Sequence, residues 1–270
     1  MSDTNVAIPV ILDCDPGHDD AIAILLAVQS PRIDLRAVTT TFGNCSVADA
    51  TRNALRILTL AGVTTTPVAR GAAASLAGTS ELGNYVHGAS GIDGPDLPEP
   101  AFTPSELSAV ALIRQVLDAS DRPVTIVATG PITNVAALLQ QHPDARHQIA
   151  EIIFMGGSTE RGNHIPTAEF NTYADPEALE VVLSSGLPVK MVGLNLSTRH
   201  WPRRRSSPGC GPWTTRSGGS ARSGWASSVP PTVPSGISSP TGPRPVYGRR
   251  SHRPGPHHVA GLLRRRRNPR

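Results

Sequence analysis

A buried strand that runs into four carboxylates sets the terms for this chain. The apolar run from Ile8 to Leu12 reads as a strand, and Asp13, Asp15, Asp19 and Asp20 follow it within eight residues. Ala21 to Val28 then reads as a buried helix. Strand, acidic turn and helix open an α/β unit, and such units bind ligands at the carboxyl ends of their strands. Asp is common in turns and at helix N-caps, which accounts for one or two of the acids. Four exceed what capping needs. Carboxylates this close repel one another and are costly to bury unpaired, and a bound cation relieves both problems. Oxygen donors with no Cys or His cluster beside them favour a hard ion, Ca²⁺ or Mg²⁺.

The same alternation continues for about 190 residues. Strands are predicted at 33–41, 68–71, 124–128, 149–155 and 187–194, with helices at 46–61, 103–119, 132–141 and from Pro176. Asp175 is the expected N-cap of the last helix, with Pro176 at its first position. Residues 72–103 read as one long Gly- and Pro-rich loop, of a length that is usually functional or mobile. The pattern predicts an α/β fold with a mostly parallel, doubly wound sheet. Its polar clusters fall at strand carboxyl ends: 15–20, Asn44, Thr129, the loop from Asn163 to Asn171, and Asn195. These turns should converge on one crevice.

From His200 the pattern stops. All 21 acidic residues lie before position 201, whereas the last 70 residues carry fourteen Arg, no Lys and no acid. The overall charge of +4 therefore describes neither part. An acidic first part argues against nucleic acid as a specific partner. Residues 1–198 are expected to form the α/β domain, and 199–270, rich in Arg, Pro, Gly and Ser, a disordered basic tail. A shifted reading frame in a G+C-rich coding sequence would give the same composition, and the abrupt break after a well-formed strand favours it. Cys14, Cys45 and Cys210 have no pairing or metal-site spacing, so a reducing cytoplasm is expected. No apolar run reaches the length of a membrane span, and no signal peptide is expected.

A set of motifs gives the first 198 residues a family. Asp13-Cys14-Asp15-Pro16-Gly17-His18-Asp19-Asp20 is followed in order by Phe42-Gly43-Asn44, His87-Gly88, Gly91-Ile92-Asp93-Gly94, the run from Ala128 to Asn134, Met155-Gly156-Gly157 and Ala168-Glu169-Phe170-Asn171. This series resembles the inosine-uridine preferring nucleoside hydrolases, Ca²⁺-dependent N-ribohydrolases. The resemblance implies a ribonucleoside substrate, a Ca²⁺ cofactor and homo-oligomeric assembly in the family. By it, Asp15 binds Ca²⁺ and acts as general base on a Ca²⁺-bound water, Asp20 is a second ligand, and Thr129 gives a main-chain carbonyl. Asp19 resembles the acid that bonds a ribose hydroxyl, and Asn44 and Asn171 resemble ribose-contacting amides. Asn163 and Glu169 resemble the groups that hold the 5′-hydroxyl, Met155 lies near the ribose, and Asp13 orients the site. His87 matches a base-side histidine, and His18 reads as packing or capping.

The chemistry suits these residue types. Cleavage of an N-glycosidic bond passes through an oxocarbenium-like ribose, which carboxylates stabilise. A metal lowers the pKa of bound water, and a nearby carboxylate takes its proton. A histidine suits delivery of a proton to the departing base. Bland alternatives stand beside these: Asn44 and Asn163 follow glycines and could serve a turn alone, Glu169 and Asn171 could be solvated, and His87 could be an ordinary surface histidine.

The resemblance also implies a later segment with a His-Asp pair, the Asp as a further Ca²⁺ ligand. No acid follows Glu180 in this chain. A second reading is therefore a catalytically impaired remnant whose basic tail binds anionic partners non-specifically. A phosphohydrolase built on Asp-x-Asp is disfavoured, because Asp19-Asp20 and the Asn-bearing loop would have no task in it.

Overall fold

The computed structural model describes residues 6–199; the expectations for 200–270 lie outside them. Six strands form one sheet in the order β3-β2-β1-β4-β5-β6, and every neighbouring pair is parallel. They are β1 (Ile8–Cys14), β2 (Ile33–Thr40), β3 (Val68–Arg70), β4 (Val124–Ala128), β5 (Ile149–Met155) and β6 (Val189–Val192). The helices are α1 (His18–Gln29), α2 (Val47–Leu60), α3 (Asn84–His87), α4 (Ala109–Ala119), α5 (Thr133–Gln141), α6 (Phe170–Ala174), α7 (Pro176–Leu183) and α8 (Leu194–Arg199).

The parallel sheet is covered on both faces, which explains why its central strands are apolar runs rather than alternating ones. On one side Ile24 of α1 and Leu55 and Leu58 of α2 pack with Leu12, Cys14 and Val38. On the other, Leu112, Ile113, Leu138 and Val182 from α4, α5 and α7 pack with Ile11, Ile126 and Ile152. The chain leaves β1 outward through β2 and β3, then returns to lay β4 on the other side of β1. That reversal opens a crevice beyond the carboxyl ends of β1 and β4, where ligands bind in sheets of this kind. The acid turn lies at one lip, after Cys14, and Thr129 at the other.

Several elements differ from expectation; α1, for one, starts at His18 rather than Ala21. The helix predicted from Thr103 begins at Ala109, capped by Ser108, whose hydroxyl accepts from the Ala111 N–H at 3.3 Å. Pro104 disfavours helical backbone at Thr103, and the Ser105 N–H is used on the Val68 carbonyl at 2.7 Å. The segment thus edges β3 before it turns. The last strand covers Val189–Val192 rather than 187–194, because the Leu194 N–H turns to the Gly157 carbonyl at 2.9 Å and α8 starts there. Within the long loop, residues 84–87 form the single helical turn α3, which carries His87. Asp175 and Pro176 begin α7 as the sequence predicts, with the Asp175 carboxylate accepting from the Ala178 N–H.

Candidate active site

The site is built from the ends of β1, β2 and β4 and from two loops that fold over them. Asp13 pairs with Thr39 in the β1–β2 register and with Ala128 in the β1–β4 register. Its Oδ1 accepts from the Thr39 hydroxyl at 2.6 Å and from the Asn134 amide at 2.8 Å. Its Oδ2 is buried without a hydrogen-bond partner among the described residues. Burial pushes the Asp13 carboxyl up to about 6, against the pull of those two bonds. Asn134 also donates to the Thr40 carbonyl and accepts from the Ala72 N–H, so one amide ties β1, β2 and the loop after β3.

Asp15 and Asp20 are 1% and 4% exposed. The Asp15 N–H donates to Asp20 Oδ2 at 3.1 Å, so the turn folds back on the first residues of α1. Asp15 Oδ2 accepts from the Asn44 N–H at 2.7 Å, and the Asn44 amide donates to the Asp15 carbonyl at 3.0 Å. Burial, then the charge of Asp20, pushes Asp15 well above the ordinary carboxylate range. Burial, then the charge of Asp19, raises Asp20 to about 7, and a hydrogen bond from Thr129 pulls it back. Two adjoining buried carboxyls of this kind must share either protons or a cation.

Glycine is required where the turn closes. Gly43 has φ +152°, and a Cβ there would lie 2.0 Å from Asp15 Oδ2. Any side chain would expel the carboxylate from its position.

Across the crevice, the Asn171 amide donates to the Thr129 carbonyl at 2.8 Å and to the Met155 carbonyl at 3.0 Å, with Met155 Sδ 3.4 Å away. A carbonyl has two lone pairs, so Thr129 retains acceptor capacity. Glu169, 2% exposed, accepts from the N–H groups of Gly157, Asn171 and Thr172. It caps α6, and burial raises its pKa against those bonds. Asn163 Oδ1 accepts from the Phe170 N–H at 2.9 Å. Glu169 and Asn163 therefore shape the loop that delivers Asn171, and neither touches the acid turn.

His87 is brought in by α3. Its Nε2 lies 3.7 Å from Asp19 Oδ1, and Asp19 is the most exposed of the four acids. A Cβ at Gly17 would meet His87 Cδ2 at 2.8 Å and Asn44 Nδ2 at 3.0 Å, so both side chains converge on the acid turn. His87 is held below the ordinary histidine range, by burial first, with Asp19 opposing. The crevice thus unites Asp15, Asp20, Asn44, Thr129, Met155 and Asn171, with His87 and Asp19 at its rim.

The sequence reading gave no role to Thr39 or Asn134. A signal existed for each: three consecutive threonines end a buried strand, and Asn134 is the second residue of α5, just after the Thr129-Gly130-Pro131 turn. His18, read as packing or capping, contacts His87 through its ring.

A hard cation suits the donors in kind, all of them oxygen. Asp13 Oδ2 and Thr41 Oγ1 are buried there without partners among the described residues. The number is smaller than a full shell, since among the described residues no group of three or more His, Cys, Asp and Glu side chains is arranged to hold a metal.

The sequence profile that matches residues 10–221 is that of the inosine-uridine preferring nucleoside hydrolases. The chain belongs to this family. A pyrimidine-specific ribonucleoside hydrolase of Escherichia coli, RihA, is 53% identical over 192 residues, which are 71% of this chain and 62% of that protein. Among solved structures, a plant nucleoside hydrolase matches with TM-score 0.65 and 38% identity over 70% of this chain and 60% of its own. A purine-preferring ribonucleoside hydrolase from Gardnerella vaginalis matches with TM-score 0.66 and 34% identity over 69% and 61%. The chain thus spans about three fifths of the length of the nucleoside hydrolases it matches. No helix among the described residues is long and apolar enough to cross a membrane.

Proposed function

We propose that the chain hydrolyses the N-glycosidic bond of ribonucleosides to ribose and free base, with pyrimidine nucleosides as first substrates. The observation that carries this is the convergence of Asp15, Asp20 and the Thr129 carbonyl at the switch point of the sheet, flanked by the Asn44 and Asn171 amides. The identity to a pyrimidine-specific relative supports the base preference.

Asp15, Asp20 and the Thr129 carbonyl would hold a Ca²⁺, which when bound supplies a fixed positive charge that acidifies water and draws in ribose hydroxyls. Asp15 takes the proton of the attacking water. The water oxygen bonds to the anomeric carbon as the bond to the base breaks, and that bond's electron pair leaves with the base. The buried carboxylates and the Asn44 and Asn171 amide dipoles stabilise positive charge on the ribose ring. Asp19, at the rim, accepts from a ribose hydroxyl. Asn163 and Glu169 bind the 5′-hydroxyl, Met155 walls the sugar, and Asp13 keeps the acid turn oriented through Thr39 and Asn134. His87, in its protonated form, gives a proton to the leaving base, while the proton of the attacking water stays on Asp15.

Purified protein incubated with uridine and with inosine, with and without Ca²⁺, tests this. Free base is expected with Ca²⁺ alone, faster from uridine, and Asp15→Ala should abolish it. Release that persists without Ca²⁺ and in Asp15→Ala would overturn the reading. The short donor set favours a second reading, in which the chain binds ribosides without turning them over. Calorimetric binding of uridine with no base released would select that one.

A further inference from the structure

His164 stands outside the acid turn and makes contacts in two directions. It follows Asn163 in a tight turn, where its N–H donates to the Ala168 carbonyl at 3.3 Å and the Ala168 N–H donates to the Ile165 carbonyl at 3.2 Å. Its ring packs on α6. The Tyr173 ring is 4.4 Å away between centroids, and the Phe170 ring 5.5 Å away at 66°. Aromatic rings prefer such tilted and edge-on arrangements. The Phe170 N–H is held by Asn163, and the neighbouring Asn171 donates to the Thr129 and Met155 carbonyls. The ring is therefore fixed to the element that carries the sugar-side amide.

Both ring nitrogens face the other loop, the one that carries α3. His164 Nδ1 is 3.3 Å from Tyr85 Oη, and His164 Nε2 is 3.6 Å from Glu81 Oε1. Gly83, between those two residues, packs against Phe170: a Cβ there would lie 3.3 Å from Phe170 Cζ. The Gly83 N–H donates to the Gly43 carbonyl at 2.7 Å, which roots the loop beside the acid turn. Tyr85 and His87 share the single turn of α3.

The His164 side chain is 15% exposed, so the two loops shelter it between them. An apolar side chain would fill that gap equally well. A ring whose two nitrogens are both spent on the opposite loop does more than fill space.

We propose that His164 is a positioning residue that joins the two loops over the crevice into one unit. The turn bearing His87 is thereby set by the loop bearing Asn163, Glu169 and Asn171. Contact of a substrate with the sugar side then steadies the base side as well. The join stands on its own; its effect on turnover rests on the function proposed above.

Hydrogen exchange of the full chain reads the join without turnover. In His164→Ala the amides of Val86 and Gly88, which bond within the α3 turn, should exchange about tenfold faster or more. Those of β1 and β4 should keep their native rates. Coupling between two sites is reciprocal. Tyr85→Phe, which removes one hydroxyl from an exposed ring, should therefore speed the amides of Gly162 and Ala168 on the far loop. Native rates at Val86 and Gly88 in His164→Ala, or at Gly162 and Ala168 in Tyr85→Phe, overturn the proposal. If His164→Ala does not fold, the Tyr85→Phe result decides alone.

Turnover separates a join from a loosened fold. Binding energy from a remote hydroxyl that is used at the reacting centre shows in kcat. In the native chain, 5′-deoxyuridine should therefore have a kcat about tenfold below that of uridine. In His164→Ala the two kcat values should come within about twofold of each other, with the difference moved to KM. A merely weakened fold would lower both alike and keep the native ratio, and that result would overturn the proposal. If the native chain releases base from neither substrate, the function proposed above fails and exchange alone decides the join.

Discussion

At the scale of single residues, each carboxylate of the acid turn has a different environment. Asp19 stays in water at the rim, whereas Asp15 and Asp20 are sealed in with main-chain N–H groups. Asp13 is sealed deeper and spends one oxygen on Thr39 and Asn134. The close approach of Gly43 to Asp15 makes a direct test. Gly43→Ala should displace the carboxylate, cost about 1–3 kcal/mol in a urea melt, and weaken Ca²⁺ uptake. An unchanged melt with native Ca²⁺ uptake would mean that the turn is looser than its geometry. The four acids stand out in the sequence as a run of charge after a buried strand, whereas Asn44, Thr129 and Asn171 were singled out through the family resemblance. Thr39 and Asn134 were not, because their partner lies 26 and 121 positions away in sequence and only the sheet register brings them together.

At the scale of elements, periodicity located the strands and helices well, and it failed where a hydrogen bond outside the segment took over. Residues 103–108 have helix-start composition but give the Ser105 N–H to β3. The site-bearing turn α3 was hidden in a Gly-rich loop, since one turn of helix has no period to read. Asp175 shows how elements are joined. Fully buried, it caps α7 and accepts from the Thr133 hydroxyl at 2.6 Å and the Leu76 N–H at 2.9 Å. Asp175→Ala removes a cap and leaves two donors unsatisfied, so a loss of about 2–4 kcal/mol is expected by denaturant unfolding. A loss below about 0.5 kcal/mol, the ordinary surface value, would contradict this picture of how α5, α7 and the loop after β3 are tied.

For the whole molecule, the buried acids make stability depend on pH and on the cation together. Asp13 is raised to about 6 and Asp20 to about 7, so the folded state holds protons that the unfolded chain releases nearer 4. Their stabilising contribution is complete below the unfolded value and is lost as pH rises through the folded values. Without divalent ions, Tm should therefore fall between about pH 4 and pH 7 on account of these groups. Added Ca²⁺ should raise Tm more at pH 8 than at pH 5, because it replaces those protons. A Tm that climbs over that range, or a Ca²⁺ effect that is equal at both ends, would contradict the assignment. The chain spans 62% of RihA, and its described part contains the β1–β4 switch point with a donor set smaller than a full shell.

The central claim is that the turn after β1 is a calcium site. Calorimetric titration of Ca²⁺ into the full chain near neutral pH measures it directly. One ion per chain is predicted for the native protein, and Asp15→Asn and Asp20→Asn should each abolish uptake while the fold is kept. No uptake by the native chain, or the same uptake in both variants, would contradict the account.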